Sequence, residues 1–187
     1  MPKRMIVHDT RLQGNAPHIA QNTYKVDAKV AISHCVGWIG AYARSQGALD
    51  ELLIMCHGFE ANWNLAEQTC TNNEVGGFGL ALCKEGLCLT NVSLVSAWSG
   101  LIRRITVYAC APAQTGPGNA GTMADGRRFM GEMALISGAE VIAARDTQTY
   151  TTSFILSRID FGAWEGPVYR FDPSTGQATP YTAGPMS

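Results

Sequence analysis

Two short stretches constrain this chain more than anything else in it. LDELLIMCHG carries a continuous apolar run from Leu52 to Cys56, and RITVYAC carries a second apolar block, ITVYA, ending just before Cys110. Runs of that length without inward–outward alternation mark strands covered on both faces, the kind found in the middle of a parallel sheet. Both also end on a reactive side chain flanked by small residues: His57 with Gly58, and Cys110 with Ala109 and Ala111.

A parallel sheet needs crossovers, and the rest of the chain supplies them. RMIVHDTRL reads as an opening strand. VDAKVAISHCVGWIGAYARSQG reads as a helix, with Ala31, Cys35, Trp38 and Tyr42 at helical spacing beside Ile32, Val36, Ile39 and Ala43; Asp27 is placed to cap its start and Gly47 its end. GGFGLALCKEGLCL reads as a hairpin turning near Lys84, Glu85 and Gly86. Asn91 is expected to cap a short helix, NVSLVSAWSGLI, with Leu94, Val95, Trp98 and Leu101 on one face. A further helix is expected from Thr122, with Asp125 as a variant of the capping box, burying Phe129, Met133 and Ile136 and closing at Gly138. AEVIAARD follows as a strand, and GPVYRFDPSTGQATPY as a hairpin, turning from Asp172 to Gly176, that edges or covers the sheet. The order strand, helix, strand, hairpin, helix, strand, helix, strand predicts an α/β domain with a largely parallel sheet and right-handed crossovers. At 187 residues and 46% hydrophobic content this is one domain, with a core over about 4–147 and a C-terminal tail and hairpin over about 150–187.

Charge excludes some classes of partner. Fourteen basic and fifteen acidic side chains leave a net charge of -1, so no global field draws the protein to nucleic acid or an anionic membrane. MPKRMIVHDTR has basic residues but too short an apolar run for a signal peptide, and no segment reaches the roughly 20 apolar residues of a membrane span. The reading is a cytoplasmic protein, or one exported without a cleaved signal peptide. The six cysteines, at 35, 56, 70, 83, 88 and 110, lie in core elements and read mostly as thiols rather than as a disulfide framework. Cys83 and Cys88 could face each other, but only Cys70 and Cys56 or His57 remain to complete a zinc site, without paired spacing, so no metal is expected.

The loop after Cys110 contains GPGNAG, residues 116–121, which satisfies G-x-G-x-x-G between a strand and a helix. In a dinucleotide site the first glycine follows the strand immediately; here Ala111 to Thr115 intervene, which makes a nucleotide-binding α/β domain the weaker alternative. No Walker loop is present, for want of Gly-Lys-Ser/Thr, and the position reached after the five residues that follow Cys110 is Gly116 rather than the arginine of a cysteine phosphatase.

The C-terminal edge of an open α/β sheet is where ligands bind, and the two apolar strands deliver His57 and Cys110 there. A cysteine nucleophile needs a proton acceptor, and a leaving amine needs a donor; one imidazole serves both. The Gly58 and Cys110 backbone N–H groups are candidates for an oxyanion hole. Arg145 and Asp146, just past AEVIAA, are candidate substrate-binding charges, with Asp146 favoured and Thr147 and Gln148 beside it as a polar wall.

LLIMCHG followed by ITVYAC resembles the signature of the clan CD cysteine peptidases, the group of caspases, gingipains, legumains and separases. YACAPAQTGPGNAG, the helix through FMGEMALISGAEV, and VIAARDTQ are similar to bacterial caspase-like domains of the CHAT type. The resemblance spans residues ~50 to 147. It implies a caspase-like three-layer sandwich and a cysteine endopeptidase with a His57/Cys110 dyad, acting on a peptide or protein substrate without a cofactor. YACAP stands where caspases have QAC followed by small residues, so aspartate specificity is not implied, and a noncatalytic caspase-like interaction module is the alternative within the same resemblance.

Overall fold

The computed structural model describes residues 2–59, 63–64, 69–70, 76–153, 156–182 and 184. Its elements, in chain order, are β1 (Arg4–Asp9), β2 (Asn22–Val26), α1 (Ile32–Ser45), β3 (Leu49–Met55), β4 (His57–Phe59), β5 (Trp63–Asn64), β6 (Thr69–Cys70) and β7 (Gly79–Ala81). A 3-10 helix (Val92–Trp98) then leads to β8 (Ile102–Tyr108), α2 (Gly126–Ser137), β9 (Glu140–Ala144), β10 (Thr151–Thr152), β11 (Ile159–Asp160), β12 (Val168–Phe171) and β13 (Ala178–Pro180).

A seven-stranded sheet in the order β13-β12-β9-β8-β3-β1-β2 forms the centre. The β2, β1, β3, β8 and β9 strands are mutually parallel, and β12 and β13 add antiparallel pairs at one edge. The two apolar runs are neighbours: Met55 of β3 stands opposite Tyr108 of β8.

Connection direction decides which face each connection covers. The crossovers β2→β3, β3→β8 and β8→β9 all step the same way along the sheet, so right-handedness puts all three on one face. There Cys35, Val36 and Ile39 of α1, Val95 and Trp98 of the 3-10 helix, and Phe129 and Met133 of α2 share one core with Leu52, Ile54, Ile105 and Val107. Only β1→β2 steps the other way, and its loop packs Leu12 and Ala16 on the opposite face with Leu53, Met55, Tyr108, Ile159 and Phe161. Among the described residues both α-helices lie on one face of the sheet, and loops with a short β10–β11 ribbon pack on the other.

Local differences from the sequence reading have identifiable causes. The α1 helix begins at Ile32, and its first amide donates to the Glu85 carboxylate (2.8 Å), while Asp27 accepts from Lys29 in the preceding turn; the hairpin expected around Glu85 is reduced to a single Leu80–Leu87 bridge, because β7 pairs with β4 instead. Val92–Trp98 is 3-10 rather than α, and Asn91 does not cap it; its side chain bonds Cys88 and Gly86 instead. The α2 helix starts at Gly126, with Asp125 itself as N-cap, and closes on left-handed Gly138. Among the described residues, no helix is long and apolar enough to cross a membrane.

Candidate active site

Alternation along β3 turns Leu52, Ile54 and Cys56 to the helix-covered face and Leu53 and Met55 to the other; along β8, Ile105, Val107 and Ala109 go one way and Tyr108 the other. One more step of that alternation sends His57 and Cys110 to the same side, the loop-covered one. The sheet is also split there. The connections leaving neighbouring strands β1 and β3 pass to opposite faces, which opens a crevice at their C-terminal ends.

A cleft of about 270 Å³ occupies that place, and His57 and Cys110 both line it. Both side chains are half-buried. Cys56 and Ala109 form its base, Leu12 comes from the β1→β2 loop, and Gln148, Thr149, Tyr150 and Phe161 come from the segments around β10 and β11.

His57 Nε2 lies 3.1 Å from the Arg11 carbonyl oxygen. In the neutral ring that contact assigns the N–H to Nε2 and leaves Nδ1 with the lone pair. Arg11 is in turn fixed. Its guanidinium grips the fully buried Asp9 carboxylate through Nε (2.8 Å) and Nη2 (2.7 Å), and Nη2 also donates to the Ala81 and Cys83 carbonyls. The amide of Cys83 donates to the same carboxylate at 2.8 Å. The Asp9 hydrogen bond holds the Arg11 guanidinium pKa above its ordinary value. A backbone group oriented by a buried ion pair thus holds the imidazole, and only the structure exposes it, since a main-chain acceptor leaves no residue-type signal.

Gly58 packs directly on Cys110. A Cβ there would overlap the Cys110 carbonyl oxygen and stand 3.0 Å from its amide nitrogen, so no other residue fits without displacing the cysteine. Gly58 pairs with Leu80 of β7, whose own N–H and C=O are committed to Leu87 (2.8 and 2.9 Å). The β4–β7 rungs therefore fall on the flanking residues, and the Gly58 amide points away from β7. Ala111 holds a left-handed φ of 44°, a strained conformation for a residue with a Cβ, directly after the cysteine. That sharp turn brings the Gln114 carbonyl to the amides of Gly77 and Gly126, both at 2.8 Å.

The thiols differ in environment. Cys35, Cys56, Cys83, Cys88 and Cys110 all carry thiols. Burial pushes the Cys56 thiol well above its ordinary pKa, and a hydrogen bond with Cys35 followed by burial does the same to Cys83. Those sulfurs stay protonated; Cys110 is half-buried and lines the cleft, where Cys56 also contributes a nearly fully buried side chain.

The charges expected to bind substrate are elsewhere engaged. Arg145 Nε bonds Asp146 Oδ1 at 2.7 Å, the two side chains are 47% and 39% exposed, and neither lines the cleft. Gln148 does line it, as a buried side chain whose amide is fully committed: Nε2 donates to the Asp146 and Glu165 carbonyls and Oε1 accepts from the Glu165 amide. At the GPGNAG loop, the Asp125 carboxylate accepts from the Gly121 amide, the Thr115 hydroxyl and the Arg128 amide. Burial alone would raise its pKa, but these bonds outweigh burial and hold it low. A carboxylate therefore occupies the helix start where a dinucleotide would set its pyrophosphate.

Comparisons with protein-family models, with curated proteins and with solved structures found no match to this chain.

Proposed function

We propose that the protein is a cysteine endopeptidase of caspase-like type. The observation that carries this reading is that His57 and Cys110, from the ends of two adjacent parallel strands, line one cleft at the point where the sheet's connections diverge.

In this reading His57 Nδ1 takes the proton of the Cys110 thiol, and the thiolate attacks the carbonyl carbon of a peptide bond. The Gly58 and Cys110 amides, adjacent because their backbones pack together, donate to the oxyanion. The imidazolium returns its proton to the nitrogen as the C–N bond breaks, releasing the amine and leaving a thioester. Water, deprotonated by the same imidazole, then attacks the thioester, the C–S bond breaks, and the carboxylic acid leaves with the thiol restored. No step calls on a cofactor. Nothing favours the nucleotide-binding alternative, because Asp125 would repel phosphate at the only helix start the GPGNAG loop precedes.

The test is paired. Wild type, Cys110→Ala and His57→Ala are assayed on a mixture of proteome-derived peptides, and the rate of iodoacetamide modification is mapped cysteine by cysteine. Cleavage should vanish in both variants while their melting temperatures stay near wild type, and Cys110 should react fastest. Turnover retained by Cys110→Ala sinks the mechanism, and a folded wild type that cleaves nothing leaves the interaction-module reading.

A further inference from the structure

Among the described residues that line the cleft are His57 and two thiols, and none carries a carboxylate, guanidinium or ammonium group. Four charged side chains lie on the segments that carry the lining residues or are bonded to them. Each is committed: Arg11 to Asp9 and two carbonyls, Arg145 and Asp146 to one another, and the Glu165 carboxylate to the Thr149 amide and hydroxyl. Gln148 is the one side-chain amide among the described lining residues, and its three bonds to Asp146 and Glu165 engage its donors and acceptor in holding the wall together.

Beyond His57, the thiols and Thr149, the described lining is mostly hydrocarbon. Leu12 and Phe161 are 2% and 7% exposed, and Tyr150, Phe161, Tyr108 and Trp164 form a chain of ring contacts with centroids 4.7 to 5.7 Å apart, Tyr108 stacked on Phe161 and Trp164 and Tyr150 tilted against Phe161. Aromatic side chains packed this way hold their positions at little entropic cost and offer hydrocarbon to whatever enters. A volume of about 270 Å³ is roughly that of nine liquid water molecules, room for one large side chain. A charged side chain entering would lose its hydration with no counter-charge to receive it, while an apolar one would displace water from apolar walls.

Resting on the cysteine-peptidase reading, we infer that this cleft selects the side chain immediately before the scissile bond, and that the substrate class is peptides with a medium or large apolar residue there: leucine, methionine or phenylalanine. Acidic and basic residues are rejected at that position. The apolar preference replaces the basic one expected from Asp146 in the sequence.

The experiment uses the intact protein and two readouts. A fluorogenic peptide series varies only the residue before the cleaved bond, and a matching set of peptidyl acyloxymethyl ketones carrying Leu, Phe, Asp or Arg there is scored by mass spectrometry for labelling of Cys110. Leu, Met and Phe should exceed Asp, Glu, Lys and Arg by about 100-fold in the peptide series, and Leu and Phe should exceed Asp and Arg by a similar factor among the probes, the discrimination expected of an apolar site against an unpaired charge. Removing a wall ring in Phe161→Ala, or in the less buried Tyr150→Ala should the first fail to fold, should shift the optimum among the apolar residues by about 10-fold. Fastest labelling of Cys110 by the Asp or Arg probe, or a flat profile, overturns the apolar inference and leaves the cysteine peptidase standing. Labelling of Cys110 by none of the peptidyl probes overturns both.

Discussion

The Gly58 Cα lies so close to the Cys110 main chain that a methyl group on it would intersect the cysteine's carbonyl oxygen. The His-Gly pair and the cysteine are thus one packed unit, joined through backbone as well as through the cleft. Gly58→Ala should therefore act on Cys110 without touching any reactive atom. We expect a loss of about 1–3 kcal/mol in stability from overpacking, together with a change in the rate at which iodoacetamide modifies Cys110. Thermal melting and alkylation kinetics measure the two effects; an alanine variant indistinguishable from wild type in both would separate Gly58 from the site.

The Asp9–Arg11 pair is the support of His57. With the Asp9 side chain at 0% exposure and the Arg11 side chain at 26%, truncation at Arg11 strands a buried carboxylate. Arg11→Ala should cost about 3 kcal/mol, and Arg11→Lys, which lacks the two-pronged geometry, should recover only part of it. Asp9→Asn combined with Arg11→Ala should cost less than the sum of the two single changes, because the stranded charge is gone. Denaturant melts of the four variants complete the cycle, and additive losses would refute the coupling.

The sequence made β3 and β8 legible because strands buried on both faces have no alternation to obscure them. It hid β2 for the opposite reason: NTYKV lies at the sheet edge with only Val26 buried, so its pattern resembles a loop. The Glu85 contact to the start of α1 was out of reach, since it joins residues 53 apart in sequence and Asp27 offered a nearer cap. His57 and Cys110 could be named from the ends of two apolar runs. The cleft walls could not, because Leu12, Tyr150 and Phe161 belong to connections whose position follows from crossover direction rather than from any local pattern.

His8 sets a pH dependence. It is fully buried on β1, its Nε2 donates to the Leu12 carbonyl at 2.8 Å, and its Nδ1 has no hydrogen-bond partner among the described residues. Burial first, and the Lys25 charge as well, lower its pKa below 6.5 in the folded protein, against smaller raising effects from the Leu12 bond and Asp9. The unfolded chain therefore takes up the proton before the folded one does, so stability is full above about pH 6.5 and falls as pH drops below it. Melting temperature between pH 7.5 and 5 should decline in wild type and decline less in His8→Phe. Carboxylates held low by hydrogen bonds, such as Asp125, contribute only at more acidic pH. Equal slopes in the two proteins would show that His8 is not the group titrating.

Gln148 offers the last test, because it separates wall integrity from charge. Its side chain is 4% exposed and joins the segment after β9 to the turn at Glu165 through two hydrogen bonds, with a third to the Asp146 carbonyl in its own segment. Gln148→Leu keeps the volume and leaves the Asp146 and Glu165 carbonyls and the Glu165 amide without their partner, at a cost of about 1–3 kcal/mol. Since Thr149 and Tyr150 follow it directly into the cleft, the wall they form should loosen, and a peptide substrate's KM should rise more than kcat falls. Asp146→Ala is the contrast: it removes an exposed charge paired with Arg145 but keeps the carbonyl that Gln148 holds, so it should change KM and side-chain preference little. Steady-state kinetics on one apolar peptide decide between them. A larger KM effect from Asp146→Ala than from Gln148→Leu would return the specificity pocket to the charged pair.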